Sequence, residues 1–245
     1  MGAGLTRLYH ALLEAPWLRV EEIEISGLKK LDRFEVLNTM GVRRGECVLN
    51  LRMKPIVERI KTLPSVKTAS VRLDSPGRIV AEVKEREPIA LLRCGESTWL
   101  IDDEGILFAK APDENLPLPI VSGLCGLNPQ EGGAVPARGM REIRELMAAL
   151  DRSRSWLPPT SVRECQWGAG GFTLVLGERG VPVDIGQDDF DKKLAKLKKV
   201  ISTLNERQWN ELVTRIDLDY PGKAYLDGQF PIPKSVQGGH GKQSG

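Results

Sequence analysis

Histidine is nearly absent from this chain of 245 residues, and the two that occur, His10 and His240, lie close to its ends. Histidine is the usual base for a serine or cysteine nucleophile, so the body of the chain offers no such catalytic pair. The acidic run Asp102-Asp103-Glu104 lacks the ligand spacing of a calcium loop and is typical of a turn. The sequence therefore predicts a protein that is not an enzyme and that holds no metal and no cofactor.

Cysteine is also scarce, and its four residues lie far apart without any Cys-x-x-Cys pair: Cys47, Cys94, Cys125 and Cys165. Zinc sites and redox motifs need closer spacing, so neither is predicted. We expect buried or half-buried free thiols rather than a disulfide. On that expectation, the cysteines do not identify the compartment of the protein.

Neither sign of charge dominates, since 35 lysines and arginines face 33 aspartates and glutamates. A nucleic-acid-binding protein usually concentrates basic charge, so no nucleic-acid partner is expected.

No stretch approaches the ~18 apolar residues that span a bilayer, and no signal peptide is visible at the start. Residues 1–19 hold one short amphipathic run, which is either a soluble helix or the lower end of a lost anchor.

The length favours two domains, and residues 20–88 predict the first as a small α/β module. It opens with the partly alternating strand Val20–Ile25. Asp32 stands three residues before Glu35, which is the spacing of a capping box. A helix over Arg33–Met40 is therefore expected to follow the strand.

A second helix of this module ends at a proline and turns directly into a strand. Ile56, Ile60 and Leu63 recur at i, i+4 and i+7, which is a helical spacing, and Pro64 cannot continue the helix. Two β patterns then flank the turn Ser75-Pro76-Gly77, so a hairpin is predicted. The order of elements is β-α-α-β-β.

The rest of the ordered chain predicts a mostly antiparallel β domain over 89–230 with two flanking helices, so the fold class is α+β. Arg141–Arg152 has a helical apolar face, and a second helix follows a possible cap at Asp188 or Asp189. Five lysines of the second helix are expected on a solvated outer face rather than in a phosphate- or lipid-binding patch: Lys192, Lys193, Lys196, Lys198 and Lys199. Residues 231–245, rich in glycine and polar residues, predict a disordered tail.

The final strand pattern, Ala224–Leu226, follows a turn and leaves a strand at the margin of its sheet. An unpaired strand edge presents backbone N–H and C=O groups to other chains. Such edges bind partners by strand addition, in which backbone hydrogen bonds supply affinity and alternate side chains supply selectivity. Binding by strand addition is thus the mechanism that the layout favours.

Four stretches resemble one protein family. Leu63–Val71, where the helix turns into a strand, and Val83–Ala90, with its Val-x-Glu-Arg-x-Pro-x-Ala pattern, resemble the POTRA module of the bacterial FtsQ/DivIB cell-division family. Trp99–Phe108 is similar to the acidic-turn hairpin of that family, and Leu118–Gly123 to its Leu-Pro-x-Val-x-Gly segment. The resemblance covers about Trp17 to Leu226.

The resemblance implies a non-catalytic divisome scaffold for septum formation, which links early and late division proteins. In that family the last strands receive a strand from FtsB of the FtsB/FtsL pair, and other division proteins are expected at the POTRA module. The partner-binding residues implied here are Tyr220, Ala224, Tyr225 and Leu226. Tyr220 has the alternative role of an aromatic plug at the hairpin base. Asp219 stands where the family commonly has arginine, so an ionic contact there is lost or reversed in sign.

The resemblance also implies a single-pass protein of the inner membrane, with this chain on the periplasmic side. The family's membrane helix is absent from this chain, so the chain is an extracytoplasmic piece or its true start lies upstream. The alternative function is a POTRA-type chaperone or transport module for polypeptides in the cell envelope. That function predicts tandem POTRA repeats or a following β-barrel, and neither pattern is visible.

Overall fold

The fold is described from a computed structural model, over residues 18–113, 116–125 and 129–231. Apart from residues 18, 19 and 231, the predicted amino-terminal segment and the predicted tail lie outside the described residues. So do both histidines.

Contacts between the described residues separate two compact units. The first lies within Met1–Leu118 and Leu124–Met140, and the second within Pro119–Gly123 and Arg141–Gly245. No described helix is both long and apolar enough to cross a bilayer.

Four α-helices are present in the described part of the chain: α1 Arg33–Met40, α2 Met53–Lys61, α3 Ala137–Ser153 and α4 Phe190–Arg207. The first six strands are β1 Glu22–Ser26, β2 Val66–Ser75, β3 Arg78–Glu85, β4 Ala90–Cys94, β5 Ser97–Ile101 and β6 Leu107–Lys110. The others are β7 Ile120–Ser122, β8 Val162–Gly168, β9 Gly171–Leu176, β10 Val181–Gly186, β11 Val213–Asp217 and β12 Tyr225–Gly228. The predicted α+β class and the β-α-α-β-β order of the first module are confirmed.

The first module forms a three-stranded sheet in the order β1-β3-β2. β1 runs parallel to β3 and β2 runs antiparallel to it. The core lies between one face of the sheet and the helices α1 and α2. Its fully buried side chains include Val36, Met40, Ile60 and Ile79. Alternate residues of β3 enter this core, as the period of a strand requires.

Helix α1 has the predicted bounds because both of its ends are capped. The Asp32 side chain accepts a hydrogen bond from the Phe34 N–H at 3.2 Å. Gly41 follows with φ of 64°, and its N–H donates to Leu37 and Asn38 carbonyls. A left-handed residue with such bonds ends a helix, and glycine adopts that conformation without strain.

Two residues of the Val-x-Glu-Arg-x-Pro pattern hold loops in place. Glu85, which is 7% exposed, accepts hydrogen bonds from the backbone N–H groups of Lys29, Lys30 and Leu31. Burial alone would raise the pKa of Glu85, but these three bonds outweigh burial and the pKa is lowered. The negative charge of Glu85 therefore fixes the loop between β1 and α1.

Arg86 joins three of the stretches that carry the family resemblance. Its Nε donates to Pro64 O at 3.1 Å, and its Nη1 pairs with Glu104 at 2.7 Å and with the fully buried Asp102. Asp102 also accepts the N–H of Ile106 at 2.9 Å and so fixes the turn between β5 and β6. The Glu-Arg pair of this pattern thus has a structural role.

Strands β4, β5 and β6 form an antiparallel meander, which confirms the predicted hairpin at Trp99–Phe108. A disulfide joins Cys94, at the end of β4, to Cys125, with Cα atoms 5.4 Å apart. The expectation of four free thiols is therefore wrong, because the fold brings together two cysteines that are 31 residues apart in sequence. Cys47 and Cys165 are free.

In the second unit the strands follow the order β12-β11-β10-β9-β8-β7. The pairs β7–β8 and β10–β11 are parallel, and the pairs β8–β9, β9–β10 and β11–β12 are antiparallel. Helix α4 buries Phe190, Leu194, Leu197 and Leu204, whose spacing of 4, 3 and 7 residues places them on one side of a helix. Asp189 occupies the cap position, but its side chain makes no capping bond and accepts instead from Lys192 at 2.9 Å.

Candidate functional site

The last hairpin of the second unit leaves one strand unpaired on its outer side. In β12, Leu226 lies opposite Ile216 and Tyr225 lies opposite Asp217 of β11. Among the described residues β12 is the outermost strand of its sheet, so no other described strand pairs with its far edge. An edge of this kind is able to accept a strand from another chain.

The backbone groups that are free to pair belong to alternate residues of β12. Gln229 donates its N–H to Leu212 O at 3.1 Å, so its backbone faces β11. Because the direction of these groups alternates along an antiparallel strand, those of Gly228 and Leu226 point away from β11. The groups of Asp227, between them, point toward β11. Leu226 and Gly228 thus supply the donors and acceptors of the open edge.

Two tyrosines form an exposed aromatic pair beside this edge. Tyr220 is 53% exposed and Tyr225 is 50% exposed, and their ring centroids lie 4.8 Å apart in an edge-to-face arrangement. Tyr220 is therefore not buried as a plug at the hairpin base. Ala224 and Leu226 are half-buried, and the strand begins at Tyr225 rather than at Ala224. The fold gathers all four predicted residues on one hairpin.

Lys196 of α4 ties the turn of this hairpin to the helix. Its Nζ donates to the carbonyl oxygens of Leu218, Tyr220 and Lys223 at 2.9, 2.8 and 2.7 Å. An ammonium has three donors, so these bonds use all of them. The backbone on both sides of the turn is fixed, including that of Tyr220.

Asp219 is engaged within the protein. Its carboxylate accepts from Lys193 Nζ at 2.7 Å, and Lys193 also contacts Asp188 at 3.0 Å. Burial alone would lower the pKa of Lys193, but its bonds to both carboxylates outweigh burial and the pKa is raised. A Cβ at Gly186 would stand 2.0 Å from Asp219 Oδ1, so this approach requires glycine. Asp219 is thus paired with the protein's own helix α4.

The prediction that all five lysines of α4 lie on a solvated face is wrong for two of them. Lys193 is 8% exposed and Lys196 is half-buried, because both turn toward the β11–β12 hairpin. The burial of Lys193 could have been predicted from its spacing. It stands three residues after Phe190 and four before Leu197, which places it on the buried side of the helix. No pattern in the sequence predicts the carbonyl partners of Lys196, since they depend on where a distant turn lies.

Comparison with known proteins matches both parts of the chain to one group of division proteins. Residues 18–86 match the family "POTRA domain, FtsQ-type", and residues 90–219 match "Cell division protein FtsQ/DivIB, C-terminal". A curated relative, "Cell division protein FtsQ" of Geotalea daltonii, is 30% identical over 218 residues, which are 88% of this chain and 78% of that protein. The protein of the same name from Geobacter sp. is 30% identical over 228 residues, 91% of this chain and 81% of that protein. A third, from Anaeromyxobacter sp., is 27% identical over 89% of this chain and 74% of that protein.

Proposed function

This chain belongs to the FtsQ/DivIB family of bacterial cell-division proteins, and from that premise we propose that it is a non-catalytic scaffold that recruits a division partner by strand addition to β12. One observation carries the proposal: the outer edge of β12 is unpaired among the described strands and lies beside the exposed pair Tyr220 and Tyr225. Backbone pairing supplies affinity, and the tyrosines supply contact area that favours a particular partner.

The partner proposed for this edge is an FtsB-like subunit of an FtsB/FtsL pair. β12 has four residues, so the added strand pairs over about 13 Å at ~3.3 Å per residue. Leu226 shares a face with the buried Ile216, which favours an apolar side chain on that face of the added strand. Tyr225 lies on the other face and favours an aromatic or aliphatic neighbour.

Family membership implies a membrane-associated division protein. We place the described units on the extracytoplasmic side of the inner membrane, held by a single helix that precedes them in the whole protein. The Cys94–Cys125 bond supports this placement, because structural disulfides persist in oxidising compartments such as the periplasm.

The experiment measures affinity between the full chain and a synthetic peptide that copies the extracytoplasmic carboxyl-terminal segment of the FtsB-like protein from the same genome. Tyr220→Ala removes half of the aromatic pair and is expected to weaken binding about tenfold, as for an aromatic anchor. Leu226→Pro removes an outward N–H from the edge, where proline is structurally tolerated, and is expected to weaken binding further.

Two controls separate the backbone from other effects. Leu226→Ala shortens the same side chain but keeps the N–H, so its loss of affinity should be smaller than that of Leu226→Pro. Phe34→Ala removes an exposed aromatic ring from the first unit and should leave affinity unchanged. Equal binding by the wild type, Tyr220→Ala and Leu226→Pro would overturn the proposal. Equal affinity of the wild type for unrelated unfolded β segments would favour the polypeptide-binding alternative.

A further inference from the structure

A groove of about 540 Å³ lies on the first unit, beside α1 and β1, and plays no part in recruitment at β12. Its apolar lining includes Phe34 and Leu37 of α1, and its basic lining comprises Arg33, Arg43 and Arg44. The groove thus combines apolar side chains with arginines, and no acidic residue lines it.

Phe34 gives the groove an apolar contact surface. It is 74% exposed, which makes it the most exposed of the large hydrophobic side chains described. Leu37, one turn further along α1, is half-buried and packs against the core of the module. An apolar side chain that entered the groove would remove the Phe34 ring from water, which favours binding.

The arginines give the groove a positive charge, and the guanidinium groups of two of them form no ion pair with described residues. Arg33 donates to the Ile23 carbonyl at 2.9 Å. Arg43 and Arg44 are exposed, and their side chains form no hydrogen bond or ion pair with described residues. Glu46, three residues after Arg43, directs its carboxylate to the backbone N–H of Arg43 at 3.2 Å. Two guanidinium groups are therefore available for carboxylates of another molecule.

β1 is an outer strand of its sheet, but the bond from Arg33 occupies the Ile23 carbonyl on that strand. Side-chain contacts are therefore favoured over backbone pairing at this place. We propose that the groove docks an acidic, amphipathic segment of a second protein. One or two apolar side chains of that segment contact Phe34 and Leu37, and its carboxylates pair with Arg43 and Arg44.

The test selects random peptides displayed on phage against the full chain, with counter-selection against the variant Arg43→Glu/Arg44→Glu. The selected peptides are expected to be rich in aspartate and glutamate, with one or two large apolar residues. Their affinity should fall at least about tenfold in the counter-selection variant, which is a loss of ~1.4 kcal/mol, and also in Phe34→Ala.

Two matched variants act as controls. Arg52→Glu/Lys54→Glu reverses the same amount of charge on exposed residues that do not line the groove, and should leave affinity unchanged. Tyr220→Ala should also leave it unchanged, which makes this result independent of recruitment at β12. A selection that leaves no binding peptide after the counter-selection, or only peptides without acidic residues, would overturn the proposal. So would binding to phosphatidylglycerol vesicles that depends on Arg43 and Arg44 when no acidic peptide binds, because the groove would then recognise a lipid surface.

Discussion

At the scale of single residues, Glu85 shows how a buried charge serves the fold. Its carboxylate is nearly inaccessible to water and accepts hydrogen bonds from three backbone N–H groups in the loop between β1 and α1. A buried charge is costly unless hydrogen bonds compensate it, and here they lower the pKa in spite of burial. A carboxyl group with a lower pKa in the folded state stabilises the fold above its unfolded pKa. That stabilisation is lost as the pH falls through the folded pKa.

We predict that Glu85→Gln lowers the free energy of unfolding by about 1–3 kcal/mol at pH 7, since charged acceptors form stronger bonds than neutral ones. The difference between the variant and the wild type should shrink as the pH falls from the unfolded pKa of about 4.5 through the lower pKa of the folded state, below which the wild-type group is also neutral. Urea unfolding at neutral and acid pH measures both values.

Glu87→Gln is the matched control for Glu85→Gln. Glu87 lies two residues away and pairs with Lys29 at 2.5 Å, but it is exposed. Its substitution should change stability little at either pH, because solvent screens exposed ion pairs. A pH-independent difference between Glu85→Gln and the wild type would show that the charge of Glu85 is not what stabilises the loop.

At the scale of elements, α4 supports the β11–β12 hairpin. Three donors of one lysine hold the turn, and Lys193 holds Asp219 beside it. The hairpin itself is short, and two strands alone are marginally stable in water. The helix therefore supplies the order that keeps Tyr220 beside Tyr225.

We predict that Lys196→Met leaves three carbonyls without their partner and loosens the turn. Amide hydrogen exchange of Lys223, whose N–H donates to Tyr220 O, and of Tyr225, which pairs with Asp217, should become about tenfold faster. That change corresponds to a local loss of ~1.4 kcal/mol. Exchange in β8 and β9 should stay unchanged. Lys199→Met, on the exposed side of the same helix, is the control and should alter neither region. Equal exchange in both variants would contradict a supporting role for Lys196.

The elements also show what sequence is able to predict. The bounds of α1 were predictable because Asp32 and Gly41 cap it locally. The turn from α2 into β2 at Pro64 was also predictable from a local feature, because proline cannot continue a helix. The Cys94–Cys125 bond and the carbonyl partners of Lys196 depend on which distant strands become neighbours, and no local pattern encodes that. The four residues of the hairpin were predicted from a resemblance, whereas the direction of the β12 backbone required the structure.

At the scale of the whole molecule, the disulfide ties its stability to the redox state of its compartment. It closes a loop between residues 31 apart in the first unit. In the chain-entropy model, a loop of that size stabilises the fold by about 3–4 kcal/mol.

We predict that Cys94→Ser/Cys125→Ser lowers the free energy of unfolding by about 3–4 kcal/mol in oxidising conditions, while Cys47→Ser changes it much less.

Counting of reactive thiols tests the same disulfide by a second measurement. Cys165 is fully buried, and burial raises the pKa of its thiol to about 12, so it should resist thiol reagents in the folded protein. Unfolding without reductant should expose the two free thiols, Cys47 and Cys165, and reduction should add the other two. Four reactive thiols before reduction would contradict the disulfide.

Residue-resolved amide exchange of β12 with and without the FtsB-like peptide tests recruitment by strand addition most directly. In the free protein, Asp227 should exchange slowly because it faces β11, and the outward amides of Leu226 and Gly228 should exchange fast. The peptide should slow Leu226 and Gly228 strongly. Tight binding that leaves both of these amides as fast as in the free protein would contradict strand addition at this edge.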